Sequence, residues 1–484
     1  MSQARQDLLG STSLFVFALG LFLAFKPFAR PLLLDPATWD YMSVEIARGL
    51  VPYRDVFLHK TPMAALIGAA GARLATLGGL EGVHGAHAVF LLIGAAAPVL
   101  LYLLCRPSMG TTGALAAALF MLAADQWVVA SIEGVRPKVV ATTLGLACLL
   151  CANRGHCLSA GILGGLSALC WQPALCFLFG AASRWLPTSA PNRATVPIRL
   201  LTGLSLPISA TMLWLYSEEA LVDFFQQALW FNFDYIAYHA TSPPHTFARL
   251  LRQLIEWMPV ESALLPPVLV VLGLLRPRMP TGLLVATATY TVMIFVSFQA
   301  WPDTLLLVPG IAALLAGGLT AAFATPRLFG LGLAAVPVLA LLLACLPHEE
   351  RLTPPIEYTQ QRRFIERLAS GIGPRDTVIA IGFPELLLHL NRRNGWRWPY
   401  MWFGVDRFAA EHSPAGFGSL LAELDEKQPA LIALARRWRG SYRRDFEGWA
   451  CQGYSRESYY VYPHTIRPVQ IYRRMPAKAL RKRP

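Results

Sequence analysis

Charged residues are scarce in this chain. Lys, Arg, Asp and Glu make up 15% of its 484 residues, whereas an ordinary soluble domain has about a quarter. Hydrophobic residues make up 55%, and the mean hydropathy is +0.45. This composition excludes an ordinary soluble protein. The apolar runs recur along the chain, so a cleaved signal peptide cannot account for all of them.

The sequence also lacks a pair of cysteines outside its apolar runs. Only Cys451 lies clearly outside them, so no internal disulfide is expected there. Cys148 and Cys151 have CxxC spacing but lie within an apolar helix, where packing is the favoured role. No DxD motif, HExxH motif or cysteine cluster indicates a metal. We therefore expect no cofactor, without excluding a divalent metal.

Apolar runs close to the ~20 residues needed to cross a bilayer dominate the sequence. The run 157–186 is too long for one upright span, and Pro173 interrupts it. We therefore expect two short helices that meet at Trp171-Gln172-Pro173. Residues 63–77 are apolar but short, and predict a re-entrant or surface helix. The other predicted spans are 8–25, 84–105, 111–129, 137–152, 198–216, 259–275, 281–298, 304–323 and 328–346, which gives a polytopic helical membrane protein of about 11 spans.

The distribution of positive charge predicts the orientation of these spans. With the N-terminus inside, the inner loops contain most of the loop arginines, as the positive-inside rule requires. An odd number of spans then places the C-terminal part outside, together with the first loop. The inner-loop arginines are Arg106, Arg154, Arg184, Arg193, Arg199, Arg276, Arg278 and Arg327.

The net charge of +13 favours phosphate groups or anionic lipids as partners over nucleic acid.

The C-terminal part, residues 349–475, has the pattern of a small α/β domain outside the membrane domain of residues 1–348. Two short apolar runs, 376–381 and 430–435, predict buried strands. Helices are predicted over 358–370 and 417–427, and a last strand over 469–472. Residues 476–484 form a basic tail.

Ionisable residues are concentrated in the first outer loop, residues 34–62, in which we also predict a helix over 38–50. Charges beside a bilayer are costly unless water, a partner or a substrate meets them. The loop therefore predicts chemistry at the membrane surface. Its candidate site residues are Asp35, Asp40, Arg54, Asp55, His59 and Lys60, and the second outer loop adds Arg136 and Lys138.

The order of motifs in this loop resembles the first outer loop of GT-C glycosyltransferases, multi-span enzymes that use a polyprenyl-phosphate-linked sugar. The motifs are Asp35, then Tyr41, then Arg48-Gly49-Leu50-Val51-Pro52-Tyr53-Arg54-Asp55, then His59-Lys60-Thr61-Pro62. The glycine-rich stretch before Trp171-Gln172-Pro173 is similar to a helix pair of that family. Thr61 replaces a common proline, and Gln172 stands beside Trp171 rather than beside a lysine.

The resemblance implies an inverting enzyme in the plasma (inner) membrane that transfers the sugar to a glycan, lipid or protein acceptor on the outer face. It implies that Asp35 is the general base for the acceptor hydroxyl, with Asp40 as the runner-up. From the residues alone, Asp35 could instead be only the N-cap of the following helix. Asp40 could lie on a solvated helix face.

The resemblance assigns Lys60 to the lipid phosphate, whose departing charge a cation would stabilise. Lys60 could instead be a lysine that extends its ammonium to the membrane surface. His59 is a further candidate contact. Asp55 could orient Arg54, orient Lys60 or cap a turn. Arg136 and Lys138 could bind phosphate or anchor lipid headgroups.

Two other function classes fit a polytopic membrane protein. A transporter or flippase of lipid-linked sugars would use the charged loop as a gate, and a non-catalytic scaffold would use the C-terminal domain to bind partners. Transporters more often have charged residues within their spans and paired repeats. Here the spans are nearly free of charge, which favours surface chemistry.

Overall fold

The computed structural model describes residues 3–183, 195–233, 235, 245, 248, 279–296, 304–322, 356–402, 404–435, 438, 440–459 and 469–476. The predicted spans 259–275 and 328–346, and nearly all of the basic tail, lie outside these ranges. Among the described residues, three helices are long and apolar enough to cross a membrane, or four if one bent pair counts as a span. The count of 11 spans stays a prediction.

The first outer loop lies between a long apolar helix and a short one. Helix α1 is Gln3–Ala24, α2 is Leu34–Ala47 and α3 is Met63–Leu77. The bounds of α3 agree with the prediction. Helix α2 begins four residues before the predicted 38 and ends before the predicted 50. It ends early because Gly49 takes a left-handed conformation with φ of 91°.

The second outer loop is a sharp bend between two helices. Helix α4, Gly82–Ala123, contains a break at Gly110, so it covers the first two predicted spans after α3. The predicted span 111–129 is wrong at its end, because α4 stops at Ala123 and a separate helix α5, Asp125–Ile132, follows. Helix α6, Pro137–Asn153, then leaves at 113° to α5.

The predicted break at 171–173 is confirmed. Helix α7, Cys157–Cys170, and helix α8, Leu175–Ser183, are separated by a 3-10 turn at Gln172–Ala174. The remaining described helices of the membrane part are α9 Thr195–Ser217, α10 Leu221–Phe224 with a π-helical turn Phe225–Trp230, α11 Thr281–Val296 and α12 Val308–Ala322.

The C-terminal part contains a four-stranded sheet in the order β1-β2-β4-β3. Strands β1 and β2 are parallel, and the other two pairs are antiparallel. All residues of β1 and β2 are buried, which explains why apolar runs revealed them. The elements are α13 Tyr358–Leu368, β1 Val378–Ile381, α14 Pro384–Leu390, α15 Val405–Glu411, α16 Phe417–Lys427, β2 Leu431–Ala435, α17 Arg443–Gly453, β3 Tyr454–Tyr459 and β4 Val469–Arg474.

The C-terminal part packs against the side of the membrane part that carries the first outer loop. The Leu32 N–H donates to Gln361 Oε1 at 2.8 Å, and Gln361 Nε2 donates to the Leu32 carbonyl at 2.9 Å. The Tyr358 hydroxyl donates to Glu81, between α3 and α4, at 2.6 Å. Helix α3 therefore has both ends on this side, in agreement with a re-entrant or surface helix.

Candidate active site

Asp35 lies in the first turn of α2 and points toward the second outer loop. Leu33 occupies the N-cap position, and the helix start has no side-chain cap, so the N-cap interpretation of Asp35 is wrong. The Asp35 carboxylate accepts from the Arg136 guanidinium, which also donates to Glu133 at 2.7 Å. The Asp35 side chain is 72% exposed, so a substrate hydroxyl can reach it.

Four cationic or basic side chains surround this carboxylate. Desolvation by the surrounding protein raises the pKa of Asp35, but the positive charges of Arg136, then Lys60 and Lys138, outweigh it, so the pKa lies below its ordinary value. The structure thus brings together one residue of α2, two at the end of the first loop and two at the bend between α5 and α6. Asp35 is ionised at neutral pH.

Two tryptophan rings lie beside the lysines of this group. The Lys60 ammonium is 5.9 Å from the centre of the Trp39 ring, and the Lys138 ammonium is 4.9 Å from the centre of the Trp171 ring. The face of an aromatic ring attracts a cation at such distances. The break between α7 and α8 therefore positions a ring of the site, since Trp171 is its first residue.

His59 is a neutral, enclosed side chain of the site. Its burial, together with the neighbouring Lys60, lowers the pKa of His59 to about 3. Its Nδ1 contacts the hydroxyl of Tyr400, from the C-terminal part, and its carbonyl accepts from Asn232 at 2.6 Å. Sequence analysis missed Tyr400 and Asn232, because they are far from the loop in sequence and no local pattern marks them.

Asp40 lies in the protein interior, so the interpretation that it lies on a solvated helix face is wrong. It is fully buried, and its two carboxylate oxygens lie 2.9 Å from the Val135 N–H and 2.9 Å from His87 Nε2. These contacts hold the bend at Gly134, whose φ is 118°. Asp40 thereby supports the loop that carries Arg136.

Arg54 and Asp55 form a separate pair. Their side chains are 2.8 Å apart, and Asp55 also accepts from the Val51 N–H at 2.8 Å. Arg54 donates to the Glu218 carbonyl at 2.9 Å. Of the three roles left open for Asp55, the structure shows two, capping the turn and orienting Arg54.

A polar cavity of about 430 Å³ lies away from this group. It is at the N-terminal end of α1, the C-terminal end of the first half of α4 and the C-terminal end of α6. Asp7, Arg106 and Arg154 line it. Among the described residues, no three His, Cys, Asp or Glu side chains are arranged to hold a metal.

Comparison with known proteins rests on structure. No protein-family model matches the sequence, and no curated protein matches it. The structure is similar to ArnT from Cupriavidus metallidurans in the apo state, with a TM-score of 0.62, 15% identity, and coverage of 96% of this chain and 98% of that one. The same enzyme bound to undecaprenyl phosphate gives a TM-score of 0.60 at 15% identity, covering 95% and 97%.

The oligosaccharyltransferase of Archaeoglobus fulgidus is also matched, with a TM-score of 0.49, 13% identity, and coverage of 96% of this chain and 74% of that one. ArnT, an aminoarabinose transferase, has the GT-C fold. The likeness to ArnT over nearly the whole of both chains therefore shows that this chain has the GT-C fold, as its loop motifs implied.

Proposed function

We propose that the protein is a membrane glycosyltransferase that moves a sugar from a polyprenyl-phosphate donor to an acceptor at the outer membrane face. One observation carries the proposal. An exposed, ionised Asp35 lies among Arg136, Lys60 and Lys138, beside a helix break that contributes a tryptophan ring. A carboxylate facing a group of cations fits a transfer that takes a proton and releases a phosphate.

The proposed reaction is an inverting substitution at the anomeric carbon. Asp35 accepts the proton of the acceptor hydroxyl as its oxygen bonds to that carbon. The bond from the carbon to the phosphate oxygen breaks, and the polyprenyl phosphate leaves with the electron pair. Lys60, with Arg136 and Lys138, stabilises the negative charge that develops on the leaving phosphate. One carboxylate is sufficient, because the phosphate needs no proton to leave.

Undecaprenyl phosphate, which ArnT binds in one of its crystal structures, is the donor lipid that we propose. We also propose that residues 1–348 are the membrane domain, in the plasma (inner) membrane, and that residues 349–475 form an extracytoplasmic domain. The sugar donor would then bind on the side of the C-terminal part, where the charged loop lies.

Mass spectrometry of envelope glycans and lipids tests this function. Cells that lack the protein should lose one sugar from an envelope component and accumulate the polyprenyl-phosphate sugar. Re-expression of the protein should restore both. Identical glycans and lipids in the two strains would overturn the proposal. Sugar transfer by the purified protein, which a flippase would not perform, separates the two functions.

A further inference from the structure

One short stretch of the C-terminal part contacts both chain segments that carry the proposed base and the proposed phosphate-binding lysine. Residues 391–400, here called the bridging segment, follow α14. One end contacts α2, and the other contacts the first outer loop between residues 53 and 59.

The contacts to α2 are polar, and the α2 residues that make them are buried. Glu45, whose side chain is 1% exposed, accepts from Arg393 Nε at 3.0 Å and from Arg48 at 2.7 Å. The backbone N–H of Asn394 donates to the Tyr41 hydroxyl at 2.8 Å. Tyr41 and Glu45 are four residues apart and therefore share one face of the helix. Two adjacent contacts on one face resist rotation of α2 about its axis.

The contacts to the loop fix the backbone just before Lys60. The Phe57 N–H donates to the Arg397 carbonyl at 2.9 Å, and the Arg397 guanidinium donates to the Tyr53 carbonyl at 2.9 Å. The hydroxyl of Tyr400 contacts His59 Nδ1. Because Lys60 follows His59 directly, the bridging segment limits where its side chain begins.

We infer that the bridging segment sets the position of Asp35 relative to Lys60. Arg393 is the positioning residue through which this segment holds α2. The inference rests on the proposed function of these two residues. Asp35 is six residues before Tyr41, so a rotation of α2 moves its carboxylate. Without Arg393, the buried Glu45 loses one of its two cationic partners, and a buried carboxylate that loses a partner forces rearrangement.

Binding of undecaprenyl phosphate to the full-length protein, measured across acidic and neutral pH, tests this positioning. Ionised Asp35 opposes binding of the phosphate, and its protonation strengthens binding. In the native protein the surrounding cations lower the pKa of Asp35, so strengthening begins at lower pH than it would for an ordinary carboxyl group. In Arg393→Gln, Asp35 moves away from these cations, its pKa rises, and strengthening shifts to higher pH.

Arg392→Gln is the matched control. Arg392 is the neighbouring residue, but it donates to the carbonyls of Asp376 and Gly373 within the C-terminal part. Its profile should coincide with that of the native protein, and Arg393→Lys should lie in between, because lysine keeps the charge but not the geometry. Placing Arg393→Gln in an Asp35→Asn background should remove the shift. The titration of the ligand itself is common to all variants.

An Arg393→Gln profile that coincides with the native one would overturn the inference and leave the proposed function intact. A shift that persists in the Asp35→Asn background would also overturn it. If Arg393→Gln does not fold, Tyr41→Phe, which removes only the acceptor of the Asn394 N–H, should give the same upward shift. Absence of undecaprenyl phosphate binding by the native protein would instead overturn the proposed function, and this inference with it.

Discussion

At the scale of single residues, the site is defined by the balance of charge around Asp35. One carboxylate faces cations from two different loops, so it stays ionised while the surrounding potential remains positive. An ionised carboxylate can accept a proton, and a positive potential favours a departing phosphate. Lys60 and Arg136 both contribute to this potential, and Arg136 has the larger effect on Asp35.

Replacing Lys60 by alanine should weaken both undecaprenyl phosphate binding and turnover. The lost charge would meet phosphate in the ground state and in the transition state, and a hydrogen bond to a charged group is worth about 1.5–3 kcal/mol. We expect affinity to fall by about tenfold or more, and Lys60→Arg to retain part of it. Binding and steady-state kinetics check this prediction. If Lys60→Ala has the affinity and rate of the native protein, Lys60 does not bind the phosphate and only extends its ammonium to the membrane surface.

Replacing Arg136 by glutamine should shift the acid limb of kcat/KM to higher pH. Arg136 is the strongest of the neighbours that lower the pKa of Asp35. A lowered pKa keeps the base ionised as pH falls, and removal of the cation lets it protonate earlier. Arg199→Gln, an exposed arginine on α9, is the control and should leave the limb in place. An acid limb that does not move in Arg136→Gln would show that Asp35 is not the group that titrates.

At the scale of elements, the sequence predicted the helices and breaks that depend on apolar patterning and on proline. The bounds of α3 and α16 and the break before Pro173 follow from apolar periodicity and from proline chemistry. Strand β3, with the sequence YSRESY, is polar and half exposed, so no apolar run marked it. The bend between α5 and α6 depends on Asp40 binding Val135, a contact between residues 95 positions apart. Local sequence could name Asp35 and His59, but not the contact of Asp35 with Arg136 or that of His59 with Tyr400.

The bend at Gly134 should not tolerate a side chain. An added Cβ would lie 2.6 Å from His87 and 2.8 Å from Asp40, at a φ of 118°. Gly134→Ala should therefore lower the melting temperature and displace Arg136. The backbone strain alone costs about 1–3 kcal/mol, and the close contacts add to it.

Gly155→Ala is the control for Gly134→Ala. Gly155 also has a positive φ, of 81°, but a Cβ there meets no heavy atom within 4 Å. Thermal unfolding should show a smaller loss for Gly155→Ala, with full undecaprenyl phosphate binding. Equal losses in the two variants would mean that the packing of Asp40 and His87 around the bend contributes nothing.

At the scale of the whole molecule, the C-terminal part and the first outer loop share one side. Three separate stretches before α4 contact it, through Leu32, Glu45 and Glu81. This arrangement holds whether or not the span count is 11. With the N-terminus inside, an even count would place the C-terminal part on the inner face, and the loop could share that side only if α1 did not cross the membrane.

A thiol probe tests the side on which the C-terminal part lies. Cys451 is exposed on α17, while the other described cysteines are buried or half-buried. A membrane-impermeant maleimide should label it in intact spheroplasts, and Cys451→Ser should remove the labelling. A single cysteine placed at Lys478 in that background is a second probe. Labelling of both sites only after lysis would place the C-terminal part, and the charged loop with it, on the inner face.

Transfer by purified protein in lipid nanodiscs, supplied with polyprenyl-phosphate sugars and envelope acceptors from its own cells, tests the central claim most directly. The native protein should release polyprenyl phosphate, and Asp35→Asn should release it at least about a hundredfold more slowly, as expected for loss of a general base. Asparagine keeps the size of the side chain, and the lost exposed ion pair with Arg136 is worth about 0–1 kcal/mol, so expression and insertion should be unchanged. Glu218→Gln, at a partly exposed acid that contacts Arg54, should behave as the native protein. Release by Asp35→Asn at the native rate would contradict the account.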